Sequence, residues 1–348
     1  MAKRKESFWS SMMSNKRLTE REYYARINRI SIFVVLALVI SFIIFIAIAV
    51  FGGLYKVLGI IASANMWIYA LAFLSVFIGY MIRFIKWNYY IKRLNIRVPL
   101  RKNLITYLSL YSMNITPGKF GRILVAYTLN RVSKSKITST LPVVTFDIFT
   151  DFLGVGIVAL IAALYFKIYV IYVVAIDIAL LLPYLFILNN WFYNFLKSKM
   201  KNSRFFLRFS VYGDEYFAFQ NRLNTPKTYI VSIAVSVPAA VFNALALYFV
   251  LVAVGVHPNV TNSIFIQTSS QMLGMATGSP GNLGVTDGAL VALIRGITGI
   301  SVAKSSAVTI MERFATLWFG VGMGSIFLVY SMRYWRSRFK FKRKRDRR

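Results

Sequence analysis

Long uncharged apolar runs alternate with short basic segments along this chain. The first run, Ile30 to Phe51, has 22 residues without a charge. At about 1.5 Å per residue it covers a hydrocarbon core of roughly 30 Å. It follows a polar tail, residues 1–29, holding eight Lys/Arg. The run is too long and too far from the N-terminus for the apolar region of a cleaved signal. Further runs at Met66 to Ile82, Leu141 to Phe166, Ile168 to Leu188, Tyr229 to Val256 and Val308 to Tyr330 bring the predicted transmembrane helices to six.

The bases between these runs orient them, because an excess of Lys/Arg marks the cytoplasmic side. Residues 83–103 carry seven, residues 189–227 seven, and the tail from Arg333 to Arg348 ten. Residues 52–65 carry only Lys56, the link at Lys167 a single base, and Val256 to Asn262 none. Both termini are expected in the cytoplasm of a multi-pass plasma-membrane protein, with basic tails at residues 1–29 and 331–348 around a membrane domain at 30–330.

Two apolar stretches, residues 104–136 and 263–304, lack an uninterrupted run of spanning length and are broken in the middle by Pro and Gly. Each reads as a re-entrant helical hairpin. Their tips are Pro117-Gly118-Lys119-Phe120-Gly121 and Pro280-Gly281-Asn282-Leu283-Gly284. With 8 Pro and 20 Gly in the chain, even P-G-x-x-G should arise by chance only roughly 0.03 times. Gly118 is followed 29 residues later by Asp147, and Gly281 is followed 31 residues later by Glu312. The stretches around 66–166 and 229–330 therefore form an internal repeat, inserted with opposite orientation. The expected fold is an all-α polytopic membrane protein with six transmembrane helices and two re-entrant hairpins in inverted-topology repeats. Such repeats place a binding site near the membrane midplane, where broken helices expose their termini. The plainer alternative is two tight turns packed in protein.

Composition sharpens this picture. Apolar residues make up 57% and charged residues 15%, too apolar for a soluble domain. The absence of Cys excludes disulfides, thiol chemistry and Cys-ligated metal. The lone His257 has no ligating neighbours, and no phosphate-binding loop occurs. No metal, cofactor or nucleic acid is expected. The net charge of +31 is assigned to orientation and to anionic lipid.

Charges inside the apolar regions are costly and mark candidate function. Asp147 and Asp151 are four apart, on one helical face. Glu312 and Arg313 are their counterparts in the last span. The hairpins add Lys119 and Arg122, and Asp287 and Arg295. These eight are expected to share one polar cavity; the alternative is a set of structural salt bridges, and the two are compatible. Asn114, Thr116, Asn282 and Thr286 flank the breaks and can bond to freed backbone groups or a head group. Asp177 is read as a packing or interfacial residue. The aromatic and basic residues 189–227 suggest amphipathic helices on the inner leaflet.

The motif Asn114-x-x-Pro117-Gly118-Lys119-x-Gly121, the Asp147/Asp151 pair, Pro280-Gly281-x-Leu283-Gly284-Val285-x-Asp287, and Arg313 occur in that order. Over roughly residues 30–330 the chain resembles the membrane domain of lysylphosphatidylglycerol synthase/flippase proteins. The resemblance implies a lipid flippase-like domain. It departs where the family pattern often has Glu (here Arg122), Glu-Arg (here Asp147-Ile148) and a second Gly (here Asn282). The synthase chemistry of the family belongs to a separate soluble domain, and 18 residues follow Tyr330. Aminoacyl transfer is therefore expected to be absent.

The expected function is binding and translocation of an anionic phospholipid or polyprenyl-phosphate-linked lipid. The candidate site comprises Asn114, Pro117, Gly118, Lys119, Gly121, Arg122, Asp147, Asp151, Pro280, Gly281, Gly284, Asp287, Arg295, Glu312 and Arg313. No residue is assigned a catalytic role, and homo-oligomerisation is left open. The competing classes are a membrane-embedded lipid-linked glycosyl or phosphoryl transferase and a non-transporting assembly partner.

Overall fold

A computed structural model describes residues 39–116, 121–166, 170–188, 190–199 and 204–331. They are helical, with no β-strand among the described residues. Four helices are long and apolar enough to cross a membrane: α3 (Met66–Arg93), α6 (Ile137–Tyr165), α10 (Pro226–Ala253) and α13 (Val302–Ser331). Between α3 and α6 lies a broken pair, α4 (Leu100–Ser109) and α5 (Ile123–Ser133). Between α10 and α13 lies a second, α11 (Val260–Thr277) and α12 (Val285–Thr298). The order long helix, broken pair, long helix thus occurs twice.

Local chemistry sets these boundaries. Asn65 accepts the N–H groups of Trp67 and Ile68 at 3.0 and 3.3 Å and starts α3. Thr225 caps α10 with Pro226 at its first position. Asn259 and Ser301 cap α11 and α13. The long helices meet through small residues, which allow close backbone approach in lipid. A side chain at Gly79 of α3 would place Cβ 3.0 Å from the Ala239 carbonyl oxygen of α10. At Gly154 of α6 it would stand 2.5 Å from Ser236 Cβ.

The structure redraws several expected boundaries. The second span does not end at Ile82; α3 runs on to Arg93 because Arg83 and Lys86 turn inward and are buried. They are not loop charges, and five bases (Lys92, Arg93, Arg97, Arg101, Lys102) remain on that side. The last long helix starts at Val302 and takes in Lys304. Of the first expected span, residues 30–38 lie outside the described residues. Its described part, α1 (Val39–Phe51), bends by 102° at Gly52–Gly53 into α2 (Leu54–Ala62). Residues 54–62 are therefore a helix packed on α13 rather than a plain link. α7 (Val170–Leu188) carries an apolar stretch at Val170–Ala179. Its Asp177 packs on α6, where a Cβ at Gly156 would lie 2.3 Å from Asp177 Oδ1. His257 is exposed.

Within the aromatic and basic stretch lie α8 (Asn190–Lys199) and α9 (Arg204–Leu223), with α9 packed against α6. Lys197 Nζ donates to both carboxylate oxygens of Asp214 at 2.8 and 2.7 Å, and Lys136 pairs with Glu215, which also accepts from Thr138 at 2.9 Å. The Lys197 and Lys136 bonds hold the Asp214 and Glu215 carboxyls below their usual range. A carboxyl depressed in the folded state stabilises it above its unfolded value, about 4, and loses that contribution as pH falls through the folded value. Acidification below about pH 4 is therefore expected to loosen α9 by about 0–1 kcal/mol per exposed pair, and salt to blunt the effect. The distances from a spin label on α9 to labels on α8 and on the first turn of α6 should broaden at low pH; unchanged distributions would remove these pairs from the account.

Candidate functional site

The acids of α6 and the bases of α3 meet at one depth. Arg83 lies ten residues before the end of α3, and Asp147 ten residues after the start of α6. At about 1.5 Å per residue both are about 15 Å from those ends, half of a roughly 30 Å core. Glu312 likewise lies ten residues from the N-terminal end of α13.

Lys86 is wholly buried. Its ammonium lies 2.8 Å from Asp151 Oδ1 and 3.3 Å from Asp147 Oδ1, and donates to Thr150 Oγ1 at 3.0 Å and Ser236 Oγ at 3.1 Å. Arg83 Nε sits 3.2 Å from Asp151 Oδ1. From the first broken pair, Arg122 Nη1 stands 3.7 Å from both Asp147 Oδ2 and Asp151 Oδ2. Three cations thus surround two carboxylates. Asn114 Oδ1 accepts from Arg122 Nε and Nη2 at 3.0 and 2.8 Å, fixing the guanidinium across the break. Thr116 Oγ1 accepts the Gly121 N–H at 2.9 Å, so the break also satisfies itself locally.

The second break is built differently. Gly278, Gly281 and Gly284 have positive φ, as does Asn282 at 55°. A Cβ at Gly281 or Gly284 would be strained at φ of +60° and +84°. Asp287 ties this tip down, accepting the Gly284 N–H at Oδ2 (2.7 Å) and pairing with Arg313 Nε at Oδ1 (2.8 Å). Arg313 Nη2 also donates to the Gly281 carbonyl at 2.7 Å. Glu312 is fully buried, and its Oε1 accepts from Gln267 at 2.6 Å and Thr316 at 2.8 Å.

The two breaks face each other across a cavity of about 80 Å³, room for roughly five to eight waters at about 10–15 Å³ each. Its wall carries Arg83, Arg122, Arg313 and Asp151. Tyr80, Tyr111, Asn114, Asn243, Gln267, Gln271, Asn282, Thr286 and Thr316 supply neutral hydrogen-bonding groups. Below it, Ile115 of the first break packs with Leu283 of the second and with Leu317 and Val321.

Of the residues expected from sequence, Asn114, Arg122, Asp151, Gly281 and Arg313 line this cavity. Asp147, Asp287 and Glu312 stand behind it, bonded to lining residues. Gly121, Pro280 and Gly284 shape the breaks. Pro117, Gly118 and Lys119 lie outside the described residues. Arg295 does not join the cavity: it is exposed in the last turn of α12, where a base meets the negative helix end. The sequence reading missed Arg83 and Lys86, counted as loop charges, although their spacing of three puts them on one face. Gln267 and Gln271, four apart on apolar α11, carried the same signal.

The model of the lysylphosphatidylglycerol synthase TM region matches residues 32–324. The chain belongs to this family. A comparison with curated proteins gives no match. Within the lysylphosphatidylglycerol synthase TM family, the departures of this chain now acquire physical reasons. Asn282 replaces a glycine at positive φ, the conformation that Asn tolerates best after Gly. Ile148 is buried apolar core where the family pattern often has a base. Arg122, where that pattern often has an acid, supplies a cation to the Asp147/Asp151 pair instead.

Proposed function

We propose that this chain is a flippase-like lipid transporter rather than an enzyme, binding and translocating a lipid with an anionic head group, such as an anionic phospholipid or a polyprenyl-phosphate-linked lipid. The observation that carries the reading is the cavity wall, where three guanidinium groups (Arg83, Arg122, Arg313) face one carboxylate, Asp151. Planar guanidinium forks match phosphate oxygens, and the neutral amides and hydroxyls around them can take the remaining acceptors. In the topology that goes with this reading, six spans and two re-entrant hairpins form inverted repeats in the plasma membrane, with both termini cytoplasmic. α1 with α2 and α7 are the descendants of the first and fourth expected spans. Asp147 and Glu312 each lie ten residues from the N-terminal end of their helix, so helices inserted in opposite directions, as this topology has them, bring both acids near the midplane.

Liposomes carrying the protein and fluorescent lipids of different head groups test this by outer-leaflet quenching over time. Anionic head groups are expected to move and cationic ones to stay. Arg122→Ala should slow movement tenfold or more, since a charge-assisted bond contributes about 1.5–3 kcal/mol. Movement indifferent to head-group charge, or unchanged in a folded Arg122→Ala protein, would overturn the reading.

A further inference from the structure

Four carboxylates stand behind or along the cavity, and three of them are ion-paired: Asp147 and Asp151 with Lys86 and Arg122, Asp287 with Arg313. Glu312 is the exception. No cation lies within ion-pairing distance of it among the described residues, and its Oε2 has no hydrogen-bond partner there. Yet it is entirely buried. An ionised carboxylate so placed is costly, whereas the neutral acid is not. Its other oxygen is bonded to Gln267 and Thr316, both of which line the cavity, so Glu312 sits one side chain behind the head-group site.

A second observation lies on the same helix. Ser305, Ser306, Thr309 and Glu312 are all fully buried; Thr309 follows Ser305 by four and Ser306 by three, and Glu312 follows Thr309 by three, so the four line one broad side of α13. Ser306 Oγ and Thr309 Oγ1 have no hydrogen-bond partner among the described residues. From Ser305 to Glu312 the face rises about 10 Å. It starts beneath the α1–α2 bend, where a Cβ at Gly52 would meet Ser306 Oγ at 2.8 Å. Unpartnered hydroxyls in series, ending on an unpartnered carboxyl oxygen, suit a chain of waters.

We propose that Glu312 is the proton-carrying site of the protein, loaded through the Ser305–Ser306–Thr309 face, and that a proton crosses with each anionic charge of the lipid. The inference rests on the proposed lipid transport for its cargo but not for its proton. An anion entering beside Glu312 makes the ionised form costlier still, so anion and proton bind together. When the anion leaves, that added cost is lifted, and on the alkaline side the acid O–H breaks, the proton passes to water along the hydroxyl face, and a carboxylate remains until a proton from the acidic side reloads it. One proton moves and no electrons do. The charged and titratable groups around Glu312 are Tyr69 and Tyr80 of α3, Asp287 of α12 and the adjoining Arg313. α11 presents neutral Gln267. Tyr55 and Lys56 of α2, and Lys227, Tyr229 and Tyr248 of α10, form no ion pair or hydrogen bond with it.

Two readouts on the full chain test the proposal. In liposomes with a pH difference across the membrane, a labelled anionic phospholipid is expected to accumulate several-fold in the leaflet facing the alkaline side. Glu312→Gln should abolish that accumulation, and Thr309→Val should slow its onset. Separately, the infrared spectrum of the lipid-free protein at neutral pH should show a protonated-carboxyl stretch that disappears in Glu312→Gln. Accumulation that persists in Glu312→Gln overturns the proposal. So does the lack of that band in the wild type, whether or not lipid moves. If no lipid moves at any pH while the band behaves as expected, the transport reading fails and the proton site stands. Where Glu312→Gln alone moves no lipid, the infrared comparison decides.

Discussion

Lys86→Met is expected to destabilise the protein by about 3–5 kcal/mol, the range for removing one partner of a buried ion pair. The ammonium touches Asp147, Thr150, Asp151 and Ser236 at once. It thereby joins α3 to α6 and to α10. Without it, two buried carboxylates four residues apart face each other with only Arg83 and Arg122 for balance. Thermal unfolding in detergent would measure the loss, with Lys56→Met as the surface control. The double variant Lys86→Met/Asp147→Asn should recover part of it, because one orphaned charge is removed with its partner. A single variant as stable as the control would show that the cluster does not hold these helices together.

The second large effect concerns backbone rather than charge. Gly324 of α13 lies against the first broken pair so closely that a Cβ there would stand 2.3 Å from the Ser112 nitrogen and 2.8 Å from the Tyr111 carbonyl carbon. Backbone atoms cannot swing aside as a side chain can. Gly324→Ala is expected to cost about 1–3 kcal/mol, as overpacking does. It should also slow lipid movement, because the displaced segment carries Asn114 and, across the break, Arg122. Gly322 is a built-in comparison, with nothing within 4 Å of its Cβ position. Gly322→Ala should be neutral, or stabilising by about 0.5–1 kcal/mol through helix propensity. If both substitutions behave alike in melting and transport, the close approach at Gly324 has no functional weight.

Much of this arrangement was legible in the chain because hydrocarbon punishes charge. Asp147 and Asp151 announced themselves by type, and their spacing by four gave a common face. The repeated Pro-Gly tips placed both breaks, and the second is a helix break with positive φ at Gly281 and Gly284. What the pattern hid was the sign of that face's partners. A tally that treats every Lys and Arg after an apolar run as a loop charge cannot see Arg83 and Lys86 continue α3 inward. The bases needed to satisfy two buried acids were there to be sought within reach of the same depth. α2 escaped for another reason. Its nine residues are far below spanning length, and only the Gly52–Gly53 pair marks the bend. Arg295 was misplaced because sharing α12 with Asp287 does not mean sharing its depth: eight residues set it about 12 Å farther along, in the last turn, where the helix end claims the base.

One feature of α13 bears on how this helix can change length. After Glu312 and Arg313 the helix widens into a π-turn at Phe314–Trp318, closed by the Phe319 N–H bonding to the Phe314 carbonyl. Thr316 Oγ1 occupies the Glu312 carbonyl at 3.0 Å. A π-turn is one residue more than an α-helix needs to connect the same two faces. The face before it carries Glu312 toward the second break, and the face after it sets Gly320 against Tyr80 and Gly324 against Ser112. A family member one residue shorter here would be a plain α-helix with both faces still aligned. The same deletion anywhere else in α13 would turn one half against the other by about 100°. The wide turn therefore works as an expansion joint, the place where loss of one residue leaves the two parts of α13 in register.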